Sequence, residues 1–139
     1  MTRIILKYFA LAFFAVIISC TPNPAIQIND TLEMGLGKKY FDYVVNLNAS
    51  VKGDTSVLHS FLNVKDLYDG AAYEHGWVLI ELMRKLGDEA FANALGKLNK
   101  EQLENLNIYF KGGLDMHAKA NELPRDYPNS FKRLGYVNE

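Results

Sequence analysis

The chain has 139 residues and a formal net charge of −1, and 49% of its residues are hydrophobic. A chain of this size can bury about two-thirds of its unfolded surface, so it suits one domain with an apolar core. It has no basic stripe with interleaved aromatic residues, which excludes nucleic acid as an expected partner. The mildly acidic balance also argues against electrostatic adhesion to anionic lipid.

The first twenty residues have the pattern of an export signal. Arg3 and Lys7 precede an uncharged run over residues 8–18, which is typical of a secretory signal peptide. The run is shorter than the ~20 apolar residues that span a bilayer. Ser19-Cys20, preceded by two isoleucines, resembles the lipobox of bacterial lipoproteins. That resemblance implies cleavage between Ser19 and Cys20, a diacylglyceryl thioether on Cys20, and a fatty acyl group such as palmitate on the new amino terminus.

Cys20 is the only cysteine in the chain, so no intrachain disulfide can form. Without such a cross-link, the domain has to be stabilised by core packing alone. Two alternatives to the lipobox remain open. Cys20 could follow an ordinary signal peptide, or it could be a chance cysteine in an amino-terminal helix.

The chain is therefore predicted to have three parts: a signal peptide, which we also call the leader (1–19), a lipidated cysteine with a short tether (20–29), and one helical domain (30–139). Two prolines favour an extended tether with a reach of roughly 25–30 Å. Thr21 follows the cysteine where an aspartate would mark retention in the inner membrane. By resemblance to the enterobacterial sorting rule, we expect an outer-membrane anchor in the cell envelope, with the domain facing the periplasm.

Helical spacing recurs after the tether, whereas no convincing period-two alternation is present. Asp30 with Glu33 has the spacing of a capping box and predicts the start of the first helix. The apolar stripe of that helix comprises Leu32, Leu36, Tyr40, Val44 and Leu47. Residues 46–54 predict a loop, after which Thr55 is expected to cap a short helix over residues 56–63.

Residues 66–86 contain the strongest predicted helix. Its polar residues fall on one narrow strip, flanked by His75, and apolar residues cover most of the remaining circumference. A helix that is apolar nearly all round belongs in the middle of a fold. We therefore predict a central helix that ends at Gly87, with Ala72 and Gly76 permitting close approach of another helix.

Two further helices are predicted after the central one. Asp88 is expected to cap the first, with Phe91, Leu95 and Leu98 facing inward. Asn99 and Gln102 have the spacing of a capping box for the second. The apolar stripe of the second helix comprises Leu103, Leu106, Phe110 and Leu114.

Glycine and proline residues divide the end of the chain into short segments. Gly112-Gly113 either ends or kinks the second of these helices. Residues 123–128 predict a loop because of their prolines. Residues 130–134 predict a final helical turn closed by Gly135. The whole pattern predicts an all-α fold, a compact bundle of four or five helices around residues 66–86.

The histidines are the only residues that favour chemistry. His75 and His117 have acidic residues nearby, but their spacing matches no zinc-binding motif, and His75 is expected at the boundary of the polar strip. The chain contains no Gly-x-Ser-x-Gly elbow, and Cys20 is assigned to lipid. We expect no catalytic residue, metal or cofactor. The alternative is a metal-dependent or hydrolytic envelope enzyme that uses His75, His117 and nearby carboxylates.

Aromatic residues offer a second kind of site. Tyr40 and Tyr43 cluster in the first predicted helix, and Trp77 lies in the central one. With His75 and His117 they are the candidate binding residues, although core packing is the favoured explanation of the aromatic residues. The leading hypothesis is a lipid-anchored helical module that binds an envelope protein or a cell-wall polymer.

Overall fold

The computed structural model describes residues 22–136, and the regular structure of that part is entirely helical. This confirms the predicted all-α bundle. The helices of eight residues or more are α2 (Tyr40–Val51), α3 (Thr55–Leu62), α4 (Asp69–Leu86), α5 (Asp88–Leu95) and α6 (Lys100–Met116). The shorter elements are α1 (Asp30–Leu36), a 3₁₀ turn (Gly37–Lys39), α7 (Leu123–Asp126) and α8 (Pro128–Arg133). The leader and its Ser19-Cys20 lie outside the described residues.

The helix predicted to start at Asp30 is two helices. Gly37 has a φ of +51°, which side-chain-bearing residues rarely adopt, and the 3₁₀ turn there separates α1 from α2. The predicted cap was also wrong, because the Asn29 side chain accepts the hydrogen bond from the Leu32 N–H at 3.0 Å. Most of the predicted stripe nevertheless faces the core, and its buried members are Leu32, Leu36, Val44 and Leu47.

The loop predicted over residues 46–54 is mostly helix. The Ser50 hydroxyl donates to the Asn46 carbonyl oxygen at 2.7 Å, so this polar side chain is satisfied inside α2 and buried there. Asp54, rather than Thr55, caps α3 by accepting hydrogen bonds from two backbone N–H groups at 3.1 Å. The polar residues over 46–54 therefore indicate the end of α2 and the start of α3, with only a short turn between them.

α4 is the central helix, as its apolar circumference predicts, and it packs against α1, α2, α5 and α6. It begins at Asp69 rather than Asp66, and both of these aspartates have a positive φ, of +49° and +63°. Gly87 ends it as predicted, with a φ of +83° and an N–H that bonds the Met83 carbonyl at 2.9 Å. No helix within residues 22–136 has both the length and the hydropathy to cross a membrane.

α4 and α6 lie side by side and run in the same direction. Near the start of α4, the Leu67 N–H donates to the Tyr109 hydroxyl at 3.3 Å. Beyond the middle of α4, Glu81 lies 3.5 Å from the ring of His117. The second contact lies further along both helices than the first, so the two helices are parallel. In the chain, α5 connects the end of α4 to the segment before α6.

The two helices cross at glycines. A Cβ placed on Gly76 would lie 2.6 Å from the Gly113 nitrogen, so the two backbones are in contact there. α6 continues through Gly112 and Gly113 to Met116, so the glycines do not end the helix. The close approach predicted at Gly76 is confirmed, and the α6 backbone that it meets is that of Tyr109 and Gly113.

The region after α6 is helical where a loop was predicted. Pro124 and Pro128 each occupy the first turn of a short helix, α7 and α8. A proline is well tolerated there because the N–H that it lacks would have no partner within the helix. The prolines therefore begin helices rather than exclude them.

Asp88 does not cap its own helix. Its carboxylate caps α8 from outside, accepting the N–H of Asn129 at 2.9 Å and the N–H of Ser130 at 2.7 Å. Burial raises the pKa of Asp88, but the hydrogen bonds from Ser130 and Asn129 outweigh it and leave the pKa below its ordinary value. The contact fastens the end of the chain to the start of α5.

Candidate functional site

His75 lies in the core, not at the boundary where the sequence places it. Its side chain is fully buried, and its Nδ1 lies 2.7 Å from the Tyr43 hydroxyl. The rings of Tyr43, Phe61 and Tyr109 surround it, with centroids at 5.6, 5.7 and 5.2 Å. Burial lowers the pKa of His75 from its ordinary 6.5 to about 3, so the ring is neutral at physiological pH.

The second nitrogen of the ring, His75 Nε2, is buried and has no hydrogen-bond partner among the described residues. When the Tyr43 O–H donates to Nδ1, the Nε2 hydrogen is left among aromatic rings, whose faces attract an N–H weakly. Tyr43 is 4% exposed and His75 is 0% exposed. These two predicted binding residues therefore join α2 to α4 inside the core and offer nothing to a partner at the surface.

His117 lies at the carboxyl end of α6, in a different environment from His75. Its Nε2 is 3.5 Å from a Glu81 oxygen that also accepts a hydrogen bond from Arg84 at 2.8 Å. The Lys119 N–H donates to Nδ1 at 3.2 Å. Both ring nitrogens therefore face groups of the protein itself, the Glu81 carboxylate and the Lys119 backbone, and the side chain of His117 is only 11% exposed.

The structure does not bring the two histidines together. The neighbours of His75 are aromatic, whereas the neighbours of His117 are charged. Across residues 22–136, no group of three or more His, Cys, Asp or Glu side chains is placed to hold a metal ion. The enzyme alternative therefore gains no geometric support from this part of the chain.

An exposed apolar surface flanks the crossing of α4 and α6. Tyr73, Ile108 and Met116 are 48%, 71% and 47% exposed. A Cβ on Gly112 would lie 3.1 Å from the Tyr73 ring, so that ring covers α6 between Ile108 and Met116, each one turn away. Trp77 follows Tyr73 by one turn on α4 and is partly buried. We call these four residues, Tyr73, Trp77, Ile108 and Met116, the α4/α6 strip.

Only one residue of the strip, Trp77, was among the predicted binding residues. Ile108 and Met116 were missed, although the sequence contains a signal for the first. Ile108 is two residues from the buried Leu106, which at 100° per residue puts it nearly opposite the buried stripe of α6. Tyr40, the remaining predicted residue, is partly buried at the start of α2 and does not belong to the strip.

A cavity of about 260 Å³ borders the strip, because Ile108 forms part of its wall together with Lys111 and Tyr136, and other cavities lie elsewhere. One of about 300 Å³ lies between α2 and the segment before α4, and Tyr43 and Leu67 form part of its wall. Its charged residues are two lysines and two aspartates: Lys39, Lys65, Asp42 and Asp66. Because these charges balance, the cavity favours neither an anionic nor a cationic ligand. Another cavity of about 350 Å³, between α3 and α5, is mostly apolar.

No protein-family model, curated protein or solved structure matches this chain significantly. The features of the chain that bear on its function are therefore the lipobox-like leader and the α4/α6 strip.

Proposed function

We propose that this chain is a lipid-anchored protein of the bacterial cell envelope that binds another envelope protein through the α4/α6 strip. The anchor is supported by the apolar leader and by Ser19-Cys20, and Thr21 favours the outer membrane. In this proposal the domain works by binding and carries out no chemistry of its own.

The observation that carries the binding proposal is the exposure of Ile108 beside Tyr73 and Met116. Single exposed apolar side chains are common, but contiguous ones mark interaction sites. Aromatic residues and methionine are also enriched in the buried centres of protein interfaces. The close approach of α4 and α6 holds the strip on two helix backbones in contact, which lowers the entropy lost on binding.

The side chains favour a protein partner over a cell-wall polymer. Ile108 and Met116 gain free energy by leaving water for an apolar surface. A polysaccharide would instead favour flat aromatic rings with hydrogen-bonding groups beside them. The strip has two aromatic side chains, but its most exposed member is aliphatic.

The test uses the full chain in intact cells, with a photo-crosslinking amino acid at Ile108. The matched control places it at Ser60, which is exposed on α3. We expect irradiation to give a discrete protein adduct from position 108 and none from position 60. Adding Met116→Lys should reduce the adduct at least several-fold, with no change in the amount of protein.

Absence of an adduct at position 108, or the same adduct from both positions, would contradict the binding surface. An adduct with glycan alone would replace the protein partner by a cell-wall polymer. Turnover of a cell-wall substrate by the purified protein would contradict the claim that it acts by binding alone.

A further inference from the structure

The segment that follows the lipobox is fastened to α2. The Asn48 side chain donates from Nδ2 to the Asn23 carbonyl oxygen at 2.9 Å and accepts the Ala25 N–H through Oδ1 at 2.6 Å. The next residue, Ile26, is only 4% exposed and packs into the core. From Asn23 onward, the predicted tether is therefore part of the folded domain.

This attachment shortens the tether. Only Thr21 and Pro22 lie between Cys20 and Asn23, and a fully extended chain covers roughly 10 Å over these three Cα-to-Cα steps. A tether running to Asn29 would have reached roughly 25–30 Å. A lipid on Cys20 would hold Asn48, and the face of α2 around it, next to the bilayer surface.

That face of α2 carries exposed apolar side chains. Phe41, Val45, Asn48 and Lys52 follow one another at spacings of four, three and four, which places them on one helical stripe. Phe41 is 51% exposed and Val45 is 41% exposed. The buried residues of α2 lie on the other side of the helix, and they are Tyr43, Val44, Leu47 and Ser50. We call Phe41, Val45, Asn48 and Lys52 the α2 stripe.

We propose that the α2 stripe is a membrane-contacting face, which lies in the headgroup region of the bilayer that holds the Cys20 lipid. The inference rests on the lipid anchor of the proposed function. Phe41 and Val45 enter the boundary between headgroups and acyl chains, while Lys52 keeps its ammonium in the headgroup layer. The short tether makes the effective concentration of lipid at this face high, so two apolar residues are enough.

The orientation has a consequence for the partner surface. His75 and Trp77 are two residues apart on α4 and therefore point about 160° apart. His75 faces α2 through Tyr43, whereas Trp77 belongs to the α4/α6 strip. With the α2 stripe on the membrane, the strip faces away from it, where an envelope partner can reach it.

The experiment uses the lipidated full chain, reconstituted into vesicles of phosphatidylethanolamine and phosphatidylglycerol. Nitroxide labels are attached in separate variants, Phe41→Cys and Val45→Cys, with Ile108→Cys and Ser60→Cys as exposed controls. A lipidated Cys20 is a thioether and does not react with the label. We expect labels at 41 and 45 to be several-fold less accessible to a water-soluble nickel complex, and more accessible to oxygen, than both controls.

The outcomes separate the two proposals. If labels at 41 and 45 match the controls while the protein stays on the vesicles, the membrane face is wrong and the anchor stands. A protected label at 108 would mean that the domain lies the other way up, which also overturns the face. If the unsubstituted chain reacts with the label through Cys20, the anchor itself is wrong and the membrane face falls with it.

Discussion

Tyr43 and His75 form a buried polar pair in the core of the domain. One hydrogen bond of 2.7 Å joins two polar groups that are otherwise enclosed by aromatic rings. A buried polar group that loses its partner costs more free energy than the hydrogen bond itself contributes. Removing one partner should therefore destabilise the domain more than removing both partners together would suggest.

A double-mutant cycle tests this coupling. Tyr43→Phe leaves His75 Nδ1 without a partner, and His75→Leu leaves the Tyr43 hydroxyl without one, so each should cost about 1–3 kcal/mol of unfolding free energy. The double variant removes both polar groups and should be less destabilised than the sum of the two single variants. Urea unfolding followed by circular dichroism measures this, and simple additivity would contradict the coupling.

His75 also predicts a pH dependence of stability. Its folded pKa of about 3 lies below the ordinary 6.5, so between these values the unfolded chain binds a proton that the folded chain does not. The contribution of the neutral His75 to the free energy of unfolding is therefore fully present above pH 6.5. It falls by up to about 1.4 kcal/mol per pH unit as the pH drops toward 3.

The control for this prediction is His75→Leu. Comparing urea unfolding from pH 7 to pH 4 should show a shallower slope in the variant than in the unsubstituted chain. Asp88, whose pKa is lowered, loses its contribution to the free energy of unfolding only as the pH falls below about 4. It therefore does not mask the change in slope that His75 causes above that pH. Equal slopes in both proteins would contradict a neutral, buried His75.

Among the helices, the packing of α4 on α6 dominates the structure. The backbones touch where Gly76 meets Gly113, and no side chain fits between them. Gly112, the neighbouring residue, faces the Tyr73 ring instead, which is half exposed and can move aside. Two adjacent glycines on one helix therefore have different roles.

Substitution by alanine distinguishes them. Gly113→Ala should destabilise the domain by about 1–3 kcal/mol, because a Cβ there meets the α4 backbone and forces the helices apart. Gly112→Ala is the matched control and should stay within about 1 kcal/mol of the unsubstituted chain, since alanine favours helix and only Tyr73 has to shift. Thermal unfolding measures both, and equal effects would contradict the backbone contact at the crossing.

In the molecule as a whole, two exposed apolar surfaces lie on opposite sides of α4. The α2 stripe adjoins the point where the chain enters the domain, and the α4/α6 strip lies beyond the glycine crossing. Because the tether is short, the proposed lipid on Cys20 would orient both surfaces. In the proposed arrangement, the first surface contacts lipid and the second stays open to a partner.

Local features of the fold could be predicted well. The capping box of Asn99 and Gln102 is confirmed, as are the stop at Gly87 and the central helix. Each depends on residues within one or two turns of each other, which sequence spacing reports directly. The burial of the candidate residues was harder to predict, because Tyr43 and His75 are buried while Ile108 and Met116, which the sequence did not single out, are exposed.

The sequence by itself therefore determined the helical class, the central helix, several helix ends and the expectation of a lipid anchor. Periodicity, caps and leader composition are properties of neighbouring residues, so no tertiary contact is needed to recognise them. Only the tertiary structure decided that His75 is core, that Asn48 fastens the tether, and that α4 and α6 expose an apolar strip. Each of these depends on which residues far apart in the chain become neighbours, and the spacing of residues within one helix does not specify those contacts.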